Sequence, residues 1–417
     1  MTAPGGVAQQ SLIRSSRRRW VRVAASRALL VLSGILFACV ILEACFRLCY
    51  PDPRPRLVNA GLRLDDRYGV SFVPDSEGWN TSLRGEYSVY VKINSRGMRD
   101  VEHEYAKTPG VTRILVLGDS MTAAIQVPLT DTFVKVLEER LEYAFPTARF
   151  EVINAGIIGY GTTNELLFFR DEGYKYEPDI VLLAFFTGND VTDNVLAPLF
   201  ELKDGTLTEL PARYPSTRLL APWERPGGFL RNARNFLYTH SRLYSVSIEL
   251  LVYGAVQHWP PLLDWLVNAG MVEVTRPAMN LGNIYAFLDP PPEAWTMTEA
   301  LIIDLKRQVE THGARLVVAI LPDESEVDEK RWQAVLESYP ELRERQAQVL
   351  ERPTDRIARF LEDHDIDYVQ LAPALRLRAT GSGDSLYYRY DGHFTPLAHR
   401  AVGQTIADYF VREWGAQ

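Results

Sequence analysis

The sequence predicts an α/β protein, a three-layer α/β/α sandwich, with a parallel sheet at its centre. From residue 111 onward, short apolar runs alternate with amphipathic stretches of helical length. The runs are continuously apolar, which indicates parallel strands covered on both faces in a flavodoxin-like sheet of about five strands. The predicted strands are Arg113–Leu117, Phe150–Ile153, Ile180–Phe186, Leu316–Leu321 and Asp367–Leu371. The predicted helices cover about 131–144, 163–174, 293–312, 343–363 and 396–414.

Composition and charge limit the class of protein. The 417 residues are 47% hydrophobic and 24% charged, which is ordinary for a globular chain and excludes a disordered one. The net charge of −8 includes six arginines and no acid in residues 1–27, so residues 28–417 carry −14. An acidic body lacks the basic patch that nucleic-acid binding needs, so no nucleic-acid partner is expected. The three cysteines all lie between residues 39 and 49, so no disulfide can brace the rest of the chain.

The N-terminal segment has the pattern of a membrane anchor. A basic tail, residues 1–27, precedes the uncharged run Ala28–Leu42. This run of 15 residues is long for a signal-peptide core and short for a bilayer span, which needs about 20. No small-residue cleavage site follows the run, and Glu43 and Arg47 are spaced so that they can pair near the membrane interface. A transmembrane anchor over 28–50 is therefore favoured.

The charge on either side of the apolar run predicts its orientation. Arginines precede the run and almost none follow it, which places the N-terminus in the cytoplasm and the body outside, periplasmic or extracellular in a bacterium. Three alternatives stay open. They are a cleaved signal peptide, a lipoprotein signal at Cys39 or Cys45, and a buried core helix.

Between the anchor and the α/β domain, residues 51–110 are predicted to form a linker and a small β-rich lead-in. The segment Tyr87–Ile93 alternates as a strand does, and turn residues follow it. The domain itself is predicted over 111–417, with an insertion at about 195–290 that is too long for an ordinary loop. The insertion and its border are rich in aromatic residues, which either pack in a core, the favoured interpretation, or form a sugar-stacking wall or lid: Trp223, Trp259, Trp265 and Trp295.

Polar motifs follow the first three predicted strands, at the edge where open α/β sheets bind their ligands. Ser120 ends a Gly-Asp-Ser turn after the first strand, Gly159 lies in a glycine-rich loop after the second, and Asn189 follows the third. Each motif alone is weak evidence for a catalytic site. A second Gly-Asp-Ser at 383–385 has no strand before it, and the G-x-x-G-x-G spacing of the loop departs from a dinucleotide-binding fingerprint.

A fourth motif precedes the last predicted helix. Asp391 and His393 lie just before Thr395 and Pro396, which suit the start of a helix. The other six histidines do not lie in a comparable motif and are interpreted as structural. Neither a metal nor a cofactor is expected, because H-E-x-x-H is absent and no cysteine is available in the body.

Together the four motifs resemble the SGNH, or GDSL-type, hydrolase superfamily over about residues 111–415. The four residues that name the superfamily appear in order as Ser120, Gly159, Asn189 and His393. The resemblance implies that Ser120 is the nucleophile, His393 its general base and Asp391 the acid that orients the imidazole. It also implies an oxyanion hole made of the Ser120 and Gly159 backbone N–H groups and the Asn189 amide.

The lead-in and the spacing of the acid point to particular branches of the superfamily. The sequence INSRGMR at 93–99, together with the apolar N-terminus, is similar to a bacterial membrane-anchored branch. Many members carry the acid three residues before the histidine, where this chain has Tyr390. The Asp-x-His spacing of Asp391 and His393 instead resembles alginate O-acetyltransferases and related secreted proteins.

Three functions follow as expectations. The first is a membrane-anchored, extracytoplasmic serine esterase that removes acyl groups, O-acetyl above all, from carbohydrate or small esters through an acyl-Ser120 intermediate. The second is an O-acetyltransferase that modifies an exopolysaccharide, with a membrane acyltransferase as a possible partner. The third is an inactive carbohydrate-binding or assembly protein with the same fold.

Overall fold

The computed structural model describes residues 6–49, 57, 61–82, 85–196, 198–210, 290–338, 352–382, 385–389 and 391–415, together with 233, 236–237 and 240–248. These residues fall into two compact units. The first unit contains the described residues up to 49 and those between 233 and 248, and the second contains the others.

The first unit is built on one long helix, α1, which spans Gly6–Cys49. Its part Ser26–Cys49 has a mean hydropathy of 2.5 and is long and apolar enough to cross a membrane, a property that a signal sequence near an N-terminus shares. Glu43 pairs with Arg47 at 2.7 Å, as their spacing predicts. The Glu43 carboxylate also accepts a hydrogen bond from the Ser241 hydroxyl at 2.8 Å. The predicted apolar N-terminal helix is therefore present.

The second unit begins with the predicted β-rich lead-in, which consists of two antiparallel hairpins. Their strands are β1 (Leu62–Asp65), β2 (Gly69–Phe72), β3 (Glu77–Thr81) and β4 (Ser88–Lys92). Alternate residues of β4 are buried, as the sequence pattern predicts for a half-buried strand. Buried lead-in side chains such as Phe72, Val91 and Ile93 belong to the same hydrophobic core as the main sheet.

Five parallel strands form the centre of the second unit, and a separate hairpin, β8–β9, follows the third of them. In chain order the strands are β5 (Val111–Gly118), β6 (Arg149–Asn154), β7 (Ile180–Phe186), β8 (Phe200–Lys203), β9 (Thr206–Glu209), β10 (Arg315–Leu321) and β11 (Asp367–Gln370). The main sheet has the order β6-β5-β7-β10-β11, and every neighbouring pair is parallel. This is the flavodoxin-like order, so the predicted sheet is confirmed.

Helices cover both faces of this sheet. They are α2 (Ser120–Ala123), α3 (Phe133–Ala144), α4 (Thr162–Asp171), α5 (Asp190–Leu196), α6 (Pro292–Thr311), α7 (Glu324–Val327), α8 (Glu329–Ser338), α9 (Pro353–Asp363), α10 (Ala372–Ser382) and α11 (Pro396–Gly415). Short 3₁₀ turns cover Leu129–Asp131 and Gly173–Tyr176. The predicted helix at 163–174 ends earlier, at Asp171, because the chain turns into the second of these 3₁₀ segments.

The two faces of the sheet bury separate hydrophobic cores. Leu115 and Leu117 of β5 pack with α4, α6 and α9, whereas Ile114 and Val116 pack with α3, α10 and α11. All seven residues of β7 are buried, because this central strand is covered on both sides. The α/β/α sandwich predicted from the sequence is therefore confirmed.

Most of the predicted insertion lies outside the described residues, and so do Trp223, Trp259 and Trp265. The hairpin β8–β9 lies at its start, and α6 lies at its end. Trp295, on α6, is 3% exposed and packs in the core, with the Arg356 guanidinium 4.3 Å from its ring centroid. For this tryptophan the core interpretation is confirmed.

Candidate active site

Ser120 lies at the carboxyl edge of the sheet, as the first residue of the short helix α2 directly after β5. The Asp119 carboxylate caps this helix by accepting a hydrogen bond from the Met121 N–H at 2.8 Å. The preceding Gly118 fits because a Cβ there would lie 2.2 Å from the Thr122 hydroxyl oxygen. The helix ends after one turn, because Ala124 adopts a left-handed conformation with φ of 49°. The sequence thus places Ser120 on a tight turn between a strand and a helix.

Ser120, His393 and Asp391 form a continuous hydrogen-bonded line. The distance from His393 Nε2 to Ser120 Oγ is 2.9 Å, and the distance from His393 Nδ1 to Asp391 Oδ1 is 2.6 Å. An ionised carboxylate only accepts hydrogen bonds, so Nδ1 carries the proton and Nε2 is left to accept from the serine hydroxyl. The serine and histidine are 273 positions apart in the chain, so only the folded structure brings them together. This is the arrangement that nucleophile activation requires.

The loop that carries His393 is fixed by backbone hydrogen bonds on both sides. The Tyr388 N–H donates to the His393 carbonyl at 2.8 Å, and the Gly392 N–H donates to the Tyr388 carbonyl at 2.9 Å. Gly392 has φ of 80°, which favours glycine in this tight turn. Immediately beyond, α11 begins at Pro396, as the sequence predicts. These two hydrogen bonds tie the backbone at Gly392 and His393 to that of Tyr388.

The surroundings of His393 and Asp391 set their pKa values in opposite directions. Burial alone would lower the pKa of His393, but the charge and hydrogen bond of Asp391 outweigh it and raise the pKa above its ordinary value. Burial alone would raise the pKa of Asp391, but His393 and a hydrogen bond from Tyr87 lower it below its ordinary value. Asp391 is therefore ionised at neutral pH, and it stabilises the protonated imidazole that forms when His393 takes up a proton.

The glycine-rich loop after β6 packs directly on the turn that carries Ser120. The Ile157 N–H donates to the Gly118 carbonyl at 3.0 Å. A Cβ on Gly156 would lie 2.5 Å from the Ala123 nitrogen, so only glycine permits this approach. Gly159, farther along the loop, is exposed and has φ of 82°. The structure thus places Gly159 at the same edge of the sheet as Ser120.

Asn189 occupies the equivalent place after β7, just before α5. Its side-chain amide donates to an oxygen of the Asp193 carboxylate at 2.9 Å. This contact orients the amide, and the Asn189 side chain also acts on the Asp119 carboxyl group, whose pKa it lowers. The motif after β7 predicts Asn189 as a site residue but carries no signal for Asp193, which follows it by one helical turn.

Tyr87, from the lead-in, is a further site residue that sequence analysis missed. Its hydroxyl donates to Asp391 Oδ2 at 2.8 Å, while His393 binds the other carboxylate oxygen. The two residues are 304 positions apart, so no local motif links them. The only signal was the alternation of the strand, which puts Tyr87 on the same face as the buried Val89 and Val91.

A group of buried carboxyl groups lies behind the site. Burial raises the pKa of Asp119, and burial together with neighbouring carboxyl groups raises those of Glu165 and Asp190 well above ordinary values. Both carboxyl oxygens of Glu165 lack a hydrogen-bond partner within the described part of the chain. No group of three or more His, Cys, Asp or Glu side chains among the described residues is arranged to hold a metal ion. Burial therefore disfavours the ionised form of all three acids.

The second Gly-Asp-Ser sequence has a different environment. Gly383 and Asp384 lie outside the described residues, and Ser385 follows α10 rather than a strand. The Ser385 hydroxyl donates to the Tyr387 carbonyl at 2.5 Å, and its own carbonyl accepts from the Thr395 hydroxyl. Ser385 thus braces the loop before α11.

Comparison with known families gives one match. Residues 287–417 match the family model described as the SGNH hydrolase-like domain of acetyltransferase AlgX. The matched region contains Asp391 and His393, while Ser120, Gly159 and Asn189 precede it. The predicted resemblance to the SGNH superfamily and to its alginate O-acetyltransferase-like members is confirmed, and an ester hydrolase or an acyltransferase fits such a domain. No curated protein matches the chain.

Several solved structures are similar to this chain. A catalytic mutant of Axe2, an acetylxylan esterase from Geobacillus stearothermophilus, is 10% identical, with a TM-score of 0.37 over 73% of this chain and 95% of that one. A two-domain esterase (CEX) active on acetylated mannans is 12% identical, with a TM-score of 0.37 over 74% and 50% of the two chains. A putative lipolytic protein of the G-D-S-L family from Desulfitobacterium hafniense is 9% identical, with a TM-score of 0.33 over 71% and 98%.

Proposed function

We propose that this protein is a serine esterase that releases acyl groups, O-acetyl above all, from carbohydrate or small ester substrates. The observation that carries the proposal is the hydrogen-bonded line Asp391–His393–Ser120, with distances of 2.6 and 2.9 Å. Intact geometry of this kind argues against an inactive binding or assembly protein, since such a protein needs no activated serine. The proposed reaction uses only side-chain and backbone groups of this chain, so it calls for no cofactor.

In the first half of the reaction, Ser120 Oγ attacks the carbonyl carbon of the ester while its proton passes to His393 Nε2. Asp391 stabilises the resulting imidazolium. The negative charge that develops on the carbonyl oxygen is bound by the backbone N–H groups of Ser120 and Gly159 and by the Asn189 amide. The tetrahedral intermediate then collapses, the ester C–O bond breaks, and the imidazolium gives its proton to the departing alcohol. An acyl group remains on Ser120.

In the second half, the oxygen of an acceptor, water or a sugar hydroxyl, attacks the acyl carbon while His393 removes its proton. The bond between the acyl carbon and Ser120 Oγ then breaks, and Ser120 takes the proton back from His393. Water as acceptor releases a carboxylic acid and completes ester hydrolysis. A sugar hydroxyl as acceptor completes an acyl transfer, and this second candidate is favoured by the match to an acetyltransferase domain over residues 287–417. In that case a membrane acyltransferase is the partner that would supply acyl groups to this chain.

Location is part of the proposal. The 24-residue apolar part of α1 would anchor the chain in the membrane, and the arginines of residues 1–27 would keep the N-terminus in the cytoplasm. The esterase would then act in the periplasm or outside the cell. Protease digestion of intact and opened bacterial spheroplasts tests this: the acidic body should be cleaved in both, and protection of the body in intact spheroplasts would refute the orientation.

The nucleophile is tested by labelling the full-length protein in detergent with a fluorophosphonate. Wild type should label, and Ser120→Ala should not. Ser385→Ala is the matched control, because it removes the hydroxyl of the second Gly-Asp-Ser, which only braces the loop before α11, and it should still label. Absence of labelling in wild type, together with no hydrolysis of an aryl acetate, would refute the esterase and the transferase alike. Acetate released into water, compared with acetate found on an added polysaccharide, then distinguishes hydrolysis from transfer.

A further inference from the structure

The nucleophile turn, residues 120–127, has too few bonds of its own to hold Ser120 in place. Its helix α2 has four residues, and Ala124 at its end has a left-handed φ of 49°. A single turn of helix leaves most of its carbonyl groups without partners inside the helix. The left-handed conformation is also unfavourable for a residue other than glycine. The turn therefore depends on groups from elsewhere in the fold.

Arg99 donates hydrogen bonds to three carbonyls of this turn, one of which, that of Ala124, also accepts from the Val127 N–H. Its guanidinium donates to the Ala123 carbonyl at 2.7 Å and also to the carbonyls of Ala124 and Val127. Arg99 is 1% exposed, and burial lowers its pKa to about 10, so it is still charged at neutral pH. Hydrogen bonds from a charged donor are stronger than those from a neutral one. The Arg99 guanidinium thus binds the carbonyl of Ala123, which precedes the left-handed residue Ala124, and the carbonyl of Ala124 itself.

A second lead-in residue completes this support. The Asn80 side-chain amide, on β3, donates to the Ile125 carbonyl at 3.0 Å. Together, Arg99 and Asn80 satisfy four of the five carbonyls from Ala123 to Val127. All of these donors come from the lead-in rather than from the sheet or its helices.

Asp100, next to Arg99, holds the loop on the other side of the site. Its carboxylate accepts from the Asn154 backbone N–H at 2.7 Å, at the end of β6. The Asn154 side chain in turn donates to the Thr122 carbonyl at 2.9 Å and accepts from the Gly156 N–H at 3.0 Å. One pair of adjacent residues therefore fastens the nucleophile turn and the glycine-rich loop to the same element.

The sequence INSRGMR explains how Arg99 is presented. The Asn94 side-chain oxygen accepts from the backbone N–H groups of Arg96 and Met98, and Gly97 has φ of 77°. The Asn94 N–H also donates to the Met98 carbonyl at 2.8 Å, which closes a tight loop. Met98 is buried in the hydrophobic core beside it. Asn94, Gly97 and Met98 thus fix the position from which Arg99 enters the interior.

We propose that Arg99 is a positioning residue for the reaction at Ser120, and that the INSRGMRD segment of the lead-in sets the geometry of the nucleophile turn. The inference rests on the proposed role of Ser120. Burying a guanidinium is unfavourable, and an apolar side chain of similar size would fill the same space without that penalty. What an apolar side chain cannot do is hold three carbonyls of a left-handed turn in one arrangement.

The test compares Arg99→Met with Arg113→Met. Arg113 is also fully buried and also donates to backbone carbonyls, those of Tyr105 and Tyr176, but it lies toward the opposite, amino end of β5. Both variants should lower resistance to urea. After correction for the folded fraction, Arg99→Met should label with fluorophosphonate about 100-fold more slowly, because a displacement of about 1 Å at the reacting group has effects of that size. Arg113→Met should label within twofold of wild type.

Steady-state hydrolysis of an aryl acetate gives the second measurement. Arg99→Met should lower kcat with little change in KM, because the turn positions the nucleophile rather than the substrate. Arg99→Lys keeps the charge and should fold even if Arg99→Met does not. If both variants fold, the kcat of Arg99→Lys should lie between those of Arg99→Met and wild type. If only Arg99→Lys folds, its kcat should lie well below that of wild type. An Arg99 variant with the wild-type kcat, or an equal loss in Arg113→Met, would overturn the inference. If wild type itself neither labels nor hydrolyses the ester, the proposed function fails instead.

Discussion

A methyl group at Gly156 should separate the glycine-rich loop from the nucleophile turn. In Gly156→Ala, the new Cβ would lie 2.5 Å from both the Ala123 nitrogen and the Thr122 Cβ. Carbon atoms in contact ordinarily stand about 3.5–4.0 Å apart. The two segments must therefore move apart by about 1 Å, and neither can yield by rotating a flexible side chain, because Ala123 meets the methyl with its backbone.

Two separate effects, one on stability and one on the reaction rate, should follow from this displacement. Overpacking of a buried contact lowers the free energy of unfolding by about 1–3 kcal/mol. A shift of about 1 Å at a reacting group can lower its rate about 100-fold, which is equivalent to about 2.7 kcal/mol. Gly156→Ala should therefore fold, unfold in less urea than wild type, and react with fluorophosphonate about 100-fold more slowly per folded molecule.

Gly403→Ala provides the control. Its Cβ would lie 2.7 Å from the Phe133 carbonyl oxygen and 2.8 Å from the Val136 Cβ, a similarly close contact between α11 and α3. This variant should lose stability but retain the labelling rate. Labelling of folded Gly156→Ala at the wild-type rate would refute the argument that close packing of the two segments sets the geometry of Ser120.

Three further predictions concern the charged groups of the site. Asp193→Ala removes the acceptor that orients the Asn189 amide and should lower kcat, up to the factor of about 10²–10³ that loss of an oxyanion donor causes; an unchanged kcat for aryl acetate would show that other contacts orient the amide. Because Asp391 raises the pKa of His393 and only the neutral imidazole accepts a proton, labelling should fall on acidification with a midpoint above pH 6.5, and a midpoint at or below that value would contradict the proposed pair. Tyr87→Phe removes a hydrogen bond to the Asp391 carboxylate, which should then interact more strongly with the protonated imidazole and raise the pKa of His393 further. Labelling should become slower and its midpoint should move to higher pH. An unmoved midpoint would show that Tyr87 does not act through Asp391.

The sheet was predictable because its strands are buried on both faces. The run Ile180–Phe186 is continuously apolar, and the structure begins and ends β7 at those residues. The last helix was predictable from Thr395 and Pro396, which suit its first turn. The predicted start of the helix at 343 lies outside the described residues, which resume before α9 begins at Pro353.

Ser120, at a strand end, and His393, before the last helix, could be predicted because each stands beside turn residues in its own local sequence. Their supporting residues carry no such signal. From the sequence alone, Arg99 is indistinguishable from a surface arginine, and Tyr87 from any aromatic residue of a strand. In the fold, Arg99 contacts the Ala123 carbonyl and Tyr87 contacts Asp391. Contacts across tens to hundreds of positions depend on packing, which local pattern does not encode.

The buried acids behind the site give the folded state a pH dependence opposite to that of the chemistry. Asp119, Glu165 and Asp190 have pKa values above those of an unfolded chain, so between the two values the folded protein binds more protons than the unfolded one. Their contribution to stability is complete below about pH 4 and is lost as pH rises through the folded-state pKa values. His393, in contrast, becomes a base only as pH rises. A rise in pH therefore favours turnover, and at the same time it lowers the contribution of these three acids to the free energy of unfolding.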